Sequence, residues 1–387
     1  MIVCPYCFKV SMMNELKFQC TNRRCDRFNE IFDISTNNRH HDIFAQECPD
    51  CGVDSYRVIC PHCKNPLPKS TLNGNDMIIS VIGARDAGKS NYMGVLIHEL
   101  MTRVMPAFGG ACIPFDTSLY EYNKRFGDPL YKANVKLPHT DSALNQDKDL
   151  IPMIFTLSFP RKRWLRNDII NYTFVFYDLA GEDLELLAGE KFYDFETANK
   201  VANYICNSKG IIFLLDPLNN VTVVNRLDLS EVDKATCTGY RIFPRSADIL
   251  NNTTKLIKKM NPQLKNRNKI DIPVAVVLSK YDVIEKLIPD DAFIKKTSPH
   301  CEKGTFSVVD AKEVNEEVRG LLHDWNDIEL IHNINVNYSK WAFFCSSAFG
   351  LNNNADDQGK INIPNPHRIE DAFLWILSEN GVIPKNE

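Results

Sequence analysis

The sequence predicts an α/β fold in which a mostly parallel sheet carries helices on both faces and follows small cysteine-rich modules. Short apolar runs typical of buried strands alternate with segments of helical periodicity. A glycine-containing loop joins one such run, Met77–Ile82, to a helical pattern over Asn91–Met105. Eight of the thirteen cysteines lie within the first 63 residues, mostly in closely spaced pairs. These observations divide the chain into two metal-binding ribbons, a linker and a large α/β domain, at 1–47, 48–68, 69–76 and 77–387.

Composition and charge exclude several function classes. The 387 residues are 44% hydrophobic and 24% charged, which is ordinary for a globular protein. The formal net charge of −4 gives no reason to expect strong binding to nucleic acid or to an anionic membrane. No apolar run reaches the length needed to cross a bilayer, and the first residues lack the basic and apolar segments of a secretory signal. We therefore expect a cytoplasmic protein.

The glycine-containing loop fits the pattern G-x-x-x-x-G-K-[ST] of phosphate-binding loops, in the strand-loop-helix context that such loops need. Its backbone N–H groups and the helix N-terminus would face the phosphates of a nucleoside triphosphate. Lys89 would reach the β- and γ-phosphates, and the Ser90 hydroxyl would hold Mg²⁺. The predicted phosphate-binding residues are Gly83, Ala84, Arg85, Asp86, Ala87, Gly88, Lys89, Ser90 and Asn91.

The cysteine pairs predict two zinc sites with four thiolates each. Spacing along the chain assigns Cys4, Cys7, Cys20 and Cys25 to the first site and Cys48, Cys51, Cys60 and Cys63 to the second. His40 and His41 are possible substitute ligands in the first site. Disulfides and redox-active pairs are the alternatives, and the expected cytoplasmic location disfavours disulfides.

The cysteine-rich segment is nearly neutral, with nine Lys or Arg against eight Asp or Glu over residues 1–70. Nucleic-acid binding needs a basic surface, so we favour protein partners for these ribbons. Modules of this size depend on their metal for much of their folding free energy.

Further strand-like runs continue the α/β pattern, and the first two of them are expected to form an antiparallel pair. They span Ile151–Pro160, Tyr172–Tyr177, Gly210–Asp216, Pro273–Ser279 and Trp341–Cys345. Helical periodicity covers Ala188–Asn207, Ser246–Met260, Ala311–Asp324 and Arg368–Leu377. Ligands of such a sheet bind at the carboxyl ends of its strands.

Two polar motifs follow strands at this edge. The first is D-x-x-G, in which Asp178 could hold Mg²⁺ through water and the Gly181 N–H could sense a γ-phosphate.

The second motif, with its partner after the last strand, predicts recognition of guanine. Ser279-Lys280-Tyr281-Asp282 offers a carboxylate that could accept two hydrogen bonds from guanine, and the Lys280 stem could cover the ring. After the last strand, the backbone at Ser347 and Ala348 could reach the guanine O6 atom. Adenine has no matching pair of donors, so the predicted nucleotide is GTP or GDP.

The order of these four motifs resembles the Ras-type GTPases of the translation-factor-related (TRAFAC) class over roughly Asn75–Asn380. With the zinc ribbons in front, the chain also resembles the double-GTPase proteins of bacterial multi-gene conflict systems. The resemblance implies a switch that hydrolyses GTP to GDP and phosphate, slowly unless assisted. It also implies Mg²⁺ as a cofactor and control of partner proteins, for which the ribbons and the insertions at Asn219–Pro244 and Ile284–Lys340 are the expected surfaces.

The sequence departs from the Ras-type pattern at three positions. Ser279 replaces the usual Asn or Thr, Glu182 follows D-x-x-G where Ras-type enzymes carry a Gln, and Arg85 fills a position that is usually Gly. Glu182 could still position the attacking water, as could Asp183. Arg85 either supplies positive charge in cis or faces solvent.

The switch-I threonine should precede the Ile151 strand, within a long loop of some forty-five residues. Thr140 is our choice as the Mg²⁺ ligand, and Thr117 is the alternative. The predicted catalytic set is therefore Lys89, Gly181, Glu182 and Thr140.

Two other functions remain open at this point. One is a nucleotide-dependent zinc-ribbon scaffold with little or no hydrolysis. The other is an ATP-dependent motor or regulator, which the Ser279–Asp282 motif disfavours. The sequence does not specify the oligomeric state.

Overall fold

The computed structural model describes most of the chain, at residues 1–34, 44–137, 151–163, 166–178, 195–228, 246–261, 264, 269–351 and 360–386.

The cysteine-rich segment consists of short strands joined by tight turns. Strand β3 lies between β4 and β7 in a three-stranded antiparallel sheet, while β1 pairs with β2 and β5 pairs with β6. The strands are β1 (Ile2–Val3), β2 (Val10–Ser11), β3 (Lys17–Gln19), β4 (Ile31–Asp33), β5 (Gln46–Glu47), β6 (Asp54–Ser55) and β7 (Arg57–Ile59). A 3₁₀ turn spans Met13–Glu15. Because β3 pairs with β7, the two predicted ribbons share one sheet.

A seven-stranded sheet forms the centre of the molecule. Its strands are β8 (Asp76–Gly83), β9 (Ala111–Pro114), β10 (Met153–Arg163), β11 (Arg166–Phe176), β12 (Gly210–Leu215), β13 (Val274–Leu278) and β15 (Trp341–Cys345). They lie in the order β15-β13-β12-β8-β11-β10-β9. Only β10 runs against the others, and it forms the expected antiparallel pair with β11. The strand β14 (Phe306–Ser307) pairs separately with β16 (Lys385–Asn386).

Helices cover the sheet and connect its strands. In chain order they are α1 (Lys69–Leu72), α2 (Lys89–Glu99), α3 (Met105–Ala107), α4 (Ser118–Tyr122), α5 (Phe195–Cys206), α6 (Val221–Arg226), α7 (Ser246–Met260), α8 (Tyr281–Ile284), α9 (His300–Lys303), α10 (Val308–Asp324), α11 (Ile328–Asn337) and α12 (Asp371–Glu379). Segments Leu100–Val104 and Asn123–Ala133 are π-helical, and 3₁₀ turns span Pro217–Asn219, Glu285–Leu287 and Phe293–Lys295. Within the described ranges, no helix has the length and apolar character that a membrane crossing requires.

Helices lie on both faces of the sheet, as ring contacts at β11 show. Phe174 contacts Phe373 of α12 at a centroid distance of 4.8 Å. Tyr177, three positions further along, contacts Tyr204 of α5 at 5.3 Å. Because alternate residues of a strand point to opposite faces, α5 and α12 cover opposite faces.

The strands and helices predicted from periodicity are present where the structure describes them, with the predicted helix Ala188–Asn207 described from Phe195 onward. The prediction of a long loop before β10 is wrong. Its first part folds into the edge strand β9, helix α4 and the π-helical segment Asn123–Ala133. Buried Tyr122, Phe126 and Leu130 recur every four residues there.

The cysteine-rich segment packs on the large domain. The Phe8 ring is fully buried, with its centroid 5.4 Å from that of Tyr177 and 5.0 Å from that of Tyr204. The Asn207 side-chain amide donates to the Phe8 carbonyl at 3.0 Å. The predicted linker 69–76 contains α1, whose hydroxyls at Ser70 and Thr71 lie 2.6 and 2.7 Å from the Thr173 hydroxyl in β11. The segment is therefore fixed to the large domain at two places, through Phe8 and through α1.

Candidate active site

The phosphate-binding loop leaves the centre of the sheet at the end of β8. Gly83 ends that strand with its backbone close to β12, since a Cβ atom there would lie 2.5 Å from the Leu214 carbonyl oxygen. Asp86 (φ 62°) and Gly88 (φ 83°) have left-handed backbone conformations. These two residues turn the chain sharply into α2, so that the loop backbone leads directly into the first turn of that helix.

Lys89 holds its ammonium group above this loop. The side chain is buried, and its Nζ atom donates to the carbonyl oxygens of Gly83 at 3.1 Å and Ala84 at 2.7 Å. A buried ammonium group needs such acceptors or a counter-anion. This position suits a lysine that contacts bound phosphate groups.

Asp178 lies beside Ser90 at the next strand end. The Ser90 hydroxyl donates to both Asp178 carboxylate oxygens at 3.2 Å, and the carboxylate is only 3% exposed. A hydroxyl and a carboxylate brought together in this way are hard oxygen ligands that suit Mg²⁺. The structure thus brings two of the three predicted magnesium ligands together.

Arg125 is a third member of this group, and the sequence analysis missed it. Its Nη2 atom donates to the second Asp178 oxygen at 3.2 Å. The residue belongs to the π-helical segment that the sequence analysis assigned to a loop. The fourfold spacing of Tyr122, Phe126 and Leu130 is the signal that could have revealed it.

The predicted guanine-binding lysine is held at the end of β13. Lys280 has a left-handed backbone (φ 55°), and its Nζ atom lies 2.6 Å from the Asp216 carboxylate at the end of β12. Ser279 caps the strand end, where its hydroxyl donates to the Leu215 carbonyl at 3.1 Å. Asp216 also went unpredicted, although its position directly after a buried strand signals it. This ion pair fixes the direction of the Lys280 stem.

Asp282 meets the loop that follows β15. The Ser347 hydroxyl donates to the Asp282 Oδ1 atom and accepts from the Gly350 N–H at 2.9 Å. The Tyr281 N–H donates to the Ser346 carbonyl at 3.0 Å, which ties the two loops together. Asp282 is half-buried. Ser347 contacts its Oδ1 atom and not its Oδ2 atom. Ala348 follows Ser347 and is half-buried, so the five predicted recognition positions lie on the loops after β13 and β15 at one region of the sheet edge.

Several predicted site residues lie outside the described residues. Thr140, Gly181 and Glu182 are among them, as is Asp183. Of the alternatives, Thr117 is exposed beyond the edge strand β9, three strands away from β8. Arg85 is exposed on the phosphate-binding loop.

The eight predicted zinc ligands form two groups of four, but the predicted assignment of cysteines to sites is wrong. One group is Cys4, Cys7, Cys60 and Cys63, and the other is Cys20, Cys25, Cys48 and Cys51. The first and last cysteine pairs along the chain form one group, and the two middle pairs form the other. Strand β7, which precedes Cys60, returns to pair with β3 near the start of the chain. A domain boundary at 47/48 therefore does not separate two metal sites. His40 and His41 lie outside the described residues.

The geometry of both groups fits a tetrahedral metal. The sulfur atoms of Cys4 and Cys63 lie 3.6 Å apart, and those of Cys25 and Cys48 lie 4.0 Å apart. A tetrahedral zinc ion with Zn–S bonds of about 2.3 Å requires a sulfur separation of about 3.8 Å. The Cys4 thiol lowers the pKa of Cys63 to about 7 by hydrogen bonding. The Val53 N–H does the same for Cys51, whose pKa is also about 7. Each group thus holds a sulfur close to the thiolate form that binds metal.

A third group of metal-ligand types surrounds His300 but is a charge network. The Ser307 N–H donates to the His300 Nδ1 atom at 3.1 Å, so Nε2 carries the ring proton and has no lone pair for a metal. Arg368 already bridges the two neighbouring carboxylates, donating to Asp371 at 2.7 Å and to Asp310. Burial lowers the pKa of His300 to about 4, so the ring is neutral at physiological pH.

The chain matches a protein-family model, and it is similar to a protein of known name and to solved structures. The family model described as Double-GTPase 2 matches residues 77–326. The chain is also similar to SaeC of Mycolicibacterium smegmatis, which is named as a proposed ESX-1 scaffolding and assembly protein. The two sequences are 25% identical over 348 residues, and the alignment covers 84% of this chain and 80% of that protein.

Two solved structures are similar at low TM-score. The signal recognition particle receptor SRb-GTP/SRX complex of Chaetomium thermophilum has a TM-score of 0.28 and 14% identity, over 70% of this chain and 93% of that chain. The GTP-bound Ski7 GTPase-like domain of S. cerevisiae has a TM-score of 0.32 and 13% identity, over 79% of this chain and 50% of that chain.

Proposed function

The chain belongs to the double-GTPase 2 family, and from that premise we propose that it is a GTP-binding switch that hydrolyses GTP to GDP and phosphate. The observation that carries the proposal is the shared sheet edge. The loop with Lys89, the Ser90–Asp178 pair and the Lys280–Asp282 motif all follow parallel strands there. Ligands of open α/β sheets bind at this edge.

Each group would act on a different part of the nucleotide. The loop N–H groups and Lys89 would bind and orient the phosphates, and the ammonium would offset negative charge on the transferring phosphoryl group. Ser90 and Asp178 would hold Mg²⁺, which supplies charge neutralisation between the β- and γ-phosphates when bound. Asp282 would accept from the guanine N1 and N2 groups through the oxygen that Ser347 leaves available.

Nucleotide titrations test this assignment. Wild-type protein, loaded with zinc and supplied with Mg²⁺, is titrated with GTP, ATP and xanthosine triphosphate by calorimetry. Asp282→Asn is expected to weaken GTP binding by about 100-fold or more and to favour xanthosine triphosphate, because two charge-assisted hydrogen bonds are lost. The exposed Asp291→Asn serves as the matched control. Unchanged GTP affinity in Asp282→Asn would show that guanine is not read here.

Phosphate release in the same samples tests hydrolysis. Lys89→Ala is expected to abolish tight binding and turnover, while the exposed Lys286→Ala retains both. Tight GTP binding without release of phosphate would instead support the second candidate, a nucleotide-dependent scaffold. The name of the Mycolicibacterium smegmatis relative favours that candidate.

The partners in this proposal are proteins. The same relative is named for scaffolding and assembly, which supports protein contacts through the cysteine-rich segment and the insertions. The resemblance to conflict-system proteins extends the proposal to control of partners encoded alongside this chain, in a bacterial multi-gene system with a defence role. Thiols grouped in fours for zinc, rather than in pairs for disulfides, fit a reducing cytoplasm.

A further inference from the structure

Arg125 lies beside the Ser90–Asp178 pair, and the function proposed above makes no use of it. Arg125 lies on the π-helical segment Asn123–Ala133, far along the chain from Asp178, yet its Nη2 atom donates to the Asp178 carboxylate at 3.2 Å. The same carboxylate accepts from the Ser90 hydroxyl in the first turn of α2. The guanidinium therefore lies at the predicted junction of Mg²⁺ and the terminal phosphate.

A close helix contact fixes the position of Arg125. The neighbouring Phe126 packs against Gly94, where a Cβ atom would lie 2.9 Å from the Phe126 ring. The Tyr122 hydroxyl donates to the Gly94 carbonyl at 3.3 Å. Gly94 is one helical turn after Ser90, so the element that carries the Ser90 hydroxyl also carries the support for Arg125.

The Arg125 guanidinium packs on a neighbouring ring and stays partly exposed to solvent. Its central carbon lies 5.0 Å from the Phe126 ring centroid, and the side chain is 22% exposed. Among the residues that the structure describes, Asp178 is the one hydrogen-bond acceptor of the Arg125 guanidinium. A side chain with this support can turn towards a new anion without rearrangement of its helix.

Charge balance favours such a turn when nucleotide binds. In the structure the buried Asp178 carboxylate is balanced by Arg125. With Mg²⁺ held by Ser90 and Asp178, two cations would compete for one carboxylate, while the triphosphate adds several negative charges nearby. Asp178 would then serve the metal, and the guanidinium would be free to bind phosphate oxygens through paired N–H groups.

We propose that Arg125 is a catalytic arginine supplied in cis, which contacts the transferring phosphoryl group of Mg²⁺–GTP. This inference rests on the proposed GTPase function. In the reaction, a water oxygen forms a bond to the γ-phosphorus, and the bond between that phosphorus and the β–γ bridging oxygen breaks. The bonding pair stays on the GDP oxygen, and the water proton passes to phosphate or solvent. Arg125 stays protonated and donates to the oxygens on which charge builds up.

Arg85, the other candidate for a cationic group in cis, is placed differently. It is exposed on the phosphate-binding loop, whereas Arg125 is supported by α2 and contacts the magnesium-binding carboxylate. Of the two arginines, Arg125 is therefore the one that the fold holds beside the predicted magnesium ligands.

Single-turnover hydrolysis by the full, zinc-loaded chain tests the proposal, with GTP affinity measured separately. Arg125→Ala is expected to slow hydrolysis by about 1,000-fold or more, with GTP affinity changed by less than about tenfold. Free guanidinium at millimolar concentration is expected to restore part of the rate. Arg125→Lys is expected to stay slow, because an ammonium lacks the planar pair of donors. Arg226→Ala, an exposed arginine on α6, is the matched control.

A second readout separates catalysis from structural support. Wild-type protein is expected to bind GDP with aluminium fluoride, a mimic of the transferring phosphoryl group, whereas Arg125→Ala is expected to lose that complex while it remains folded at the assay temperature, as circular dichroism checks. Hydrolysis that survives Arg125→Ala would overturn the Arg125 assignment alone, and so would equal losses in rate and GTP affinity without rescue by guanidinium. A wild-type protein that binds GTP without hydrolysing it would overturn both this assignment and the proposed hydrolysis.

Discussion

Removal of the Phe8 ring tests how the cysteine-rich segment is attached to the sheet. Phe8 is 0% exposed, and its ring contacts those of Tyr177 and Tyr204, at 5.4 and 5.0 Å between centroids. Phe28 belongs to the same segment but is 40% exposed. Phe8→Ala and Phe28→Ala therefore make the same chemical change at a buried and an exposed site.

The expected loss for Phe8→Ala follows from burial. Truncation of a buried phenylalanine to alanine costs about 3–5 kcal/mol, which combines lost transfer free energy with the cavity left behind. The two ring pairs with Tyr177 and Tyr204 belong within that figure, at about 0.5–1.5 kcal/mol each. The exposed Phe28→Ala is expected to cost less than about 1 kcal/mol.

Urea unfolding at a fixed, saturating zinc concentration measures both losses, with tryptophan fluorescence as the probe. All four tryptophans lie in the large domain, Trp375 of α12 among them, so their fluorescence reports on that domain and not on the segment that carries Phe8. A loss of stability seen by this fluorescence in Phe8→Ala would show that the segment and the sheet unfold together. A loss below about 1 kcal/mol, or an unchanged transition at this probe, would refute the reasoning.

Three further perturbations have defined outcomes. The double variant Cys4→Ser/Cys63→Ser changes one group of cysteines and is expected to lose one zinc ion per chain. The double variant Cys4→Ser/Cys20→Ser changes both groups and is expected to lose two, as metal analysis measures. The opposite result would restore the grouping by sequence order. Burial lowers the pKa of His300 to about 4 from about 6.5 in the unfolded chain, so the folded state binds fewer protons between these values and stability falls as pH drops through that window. Urea unfolding at pH 7.5 and 4.5 is expected to show about 2–3 kcal/mol more acid destabilisation in wild type than in His300→Asn, and equal losses would contradict this. Gly83→Ala is expected to weaken GTP binding and lower the melting temperature, because its Cβ atom would lie 2.5 Å from a carbonyl oxygen of β12; a wild-type melting curve would contradict the close approach.

Local patterns were sufficient to predict most of the central sheet. The buried strands β12 and β13 are continuous apolar runs, β8 is apolar apart from Asp76 and Ser80, and helix α7 has the bounds that its periodicity predicts. The edge strand β9 was missed, because it is short and carries an exposed Ile113. Such a strand is defined by its pairing with β10, which no local pattern encodes.

The sequence by itself determined the chemistry that depends on contiguous residues. The spacing of Gly83, Gly88 and Lys89 specifies a phosphate-binding turn, and the position of Asp282 after a buried strand places it at the ligand-binding edge. The short spacings of the eight cysteines likewise predict that they are metal ligands. In each case the residues that act together are close along the chain, so local geometry fixes their arrangement.

Only the tertiary structure decided which distant groups meet. It pairs Cys4 with Cys63, places Phe8 beside Tyr177, and brings Arg125 to Asp178. Each contact joins residues separated by tens of positions or more, and all such pairings are equally compatible with the local sequence pattern. The choice among them is made by strand pairing and by burial of side chains in the assembled core, whose free energy belongs to the whole fold.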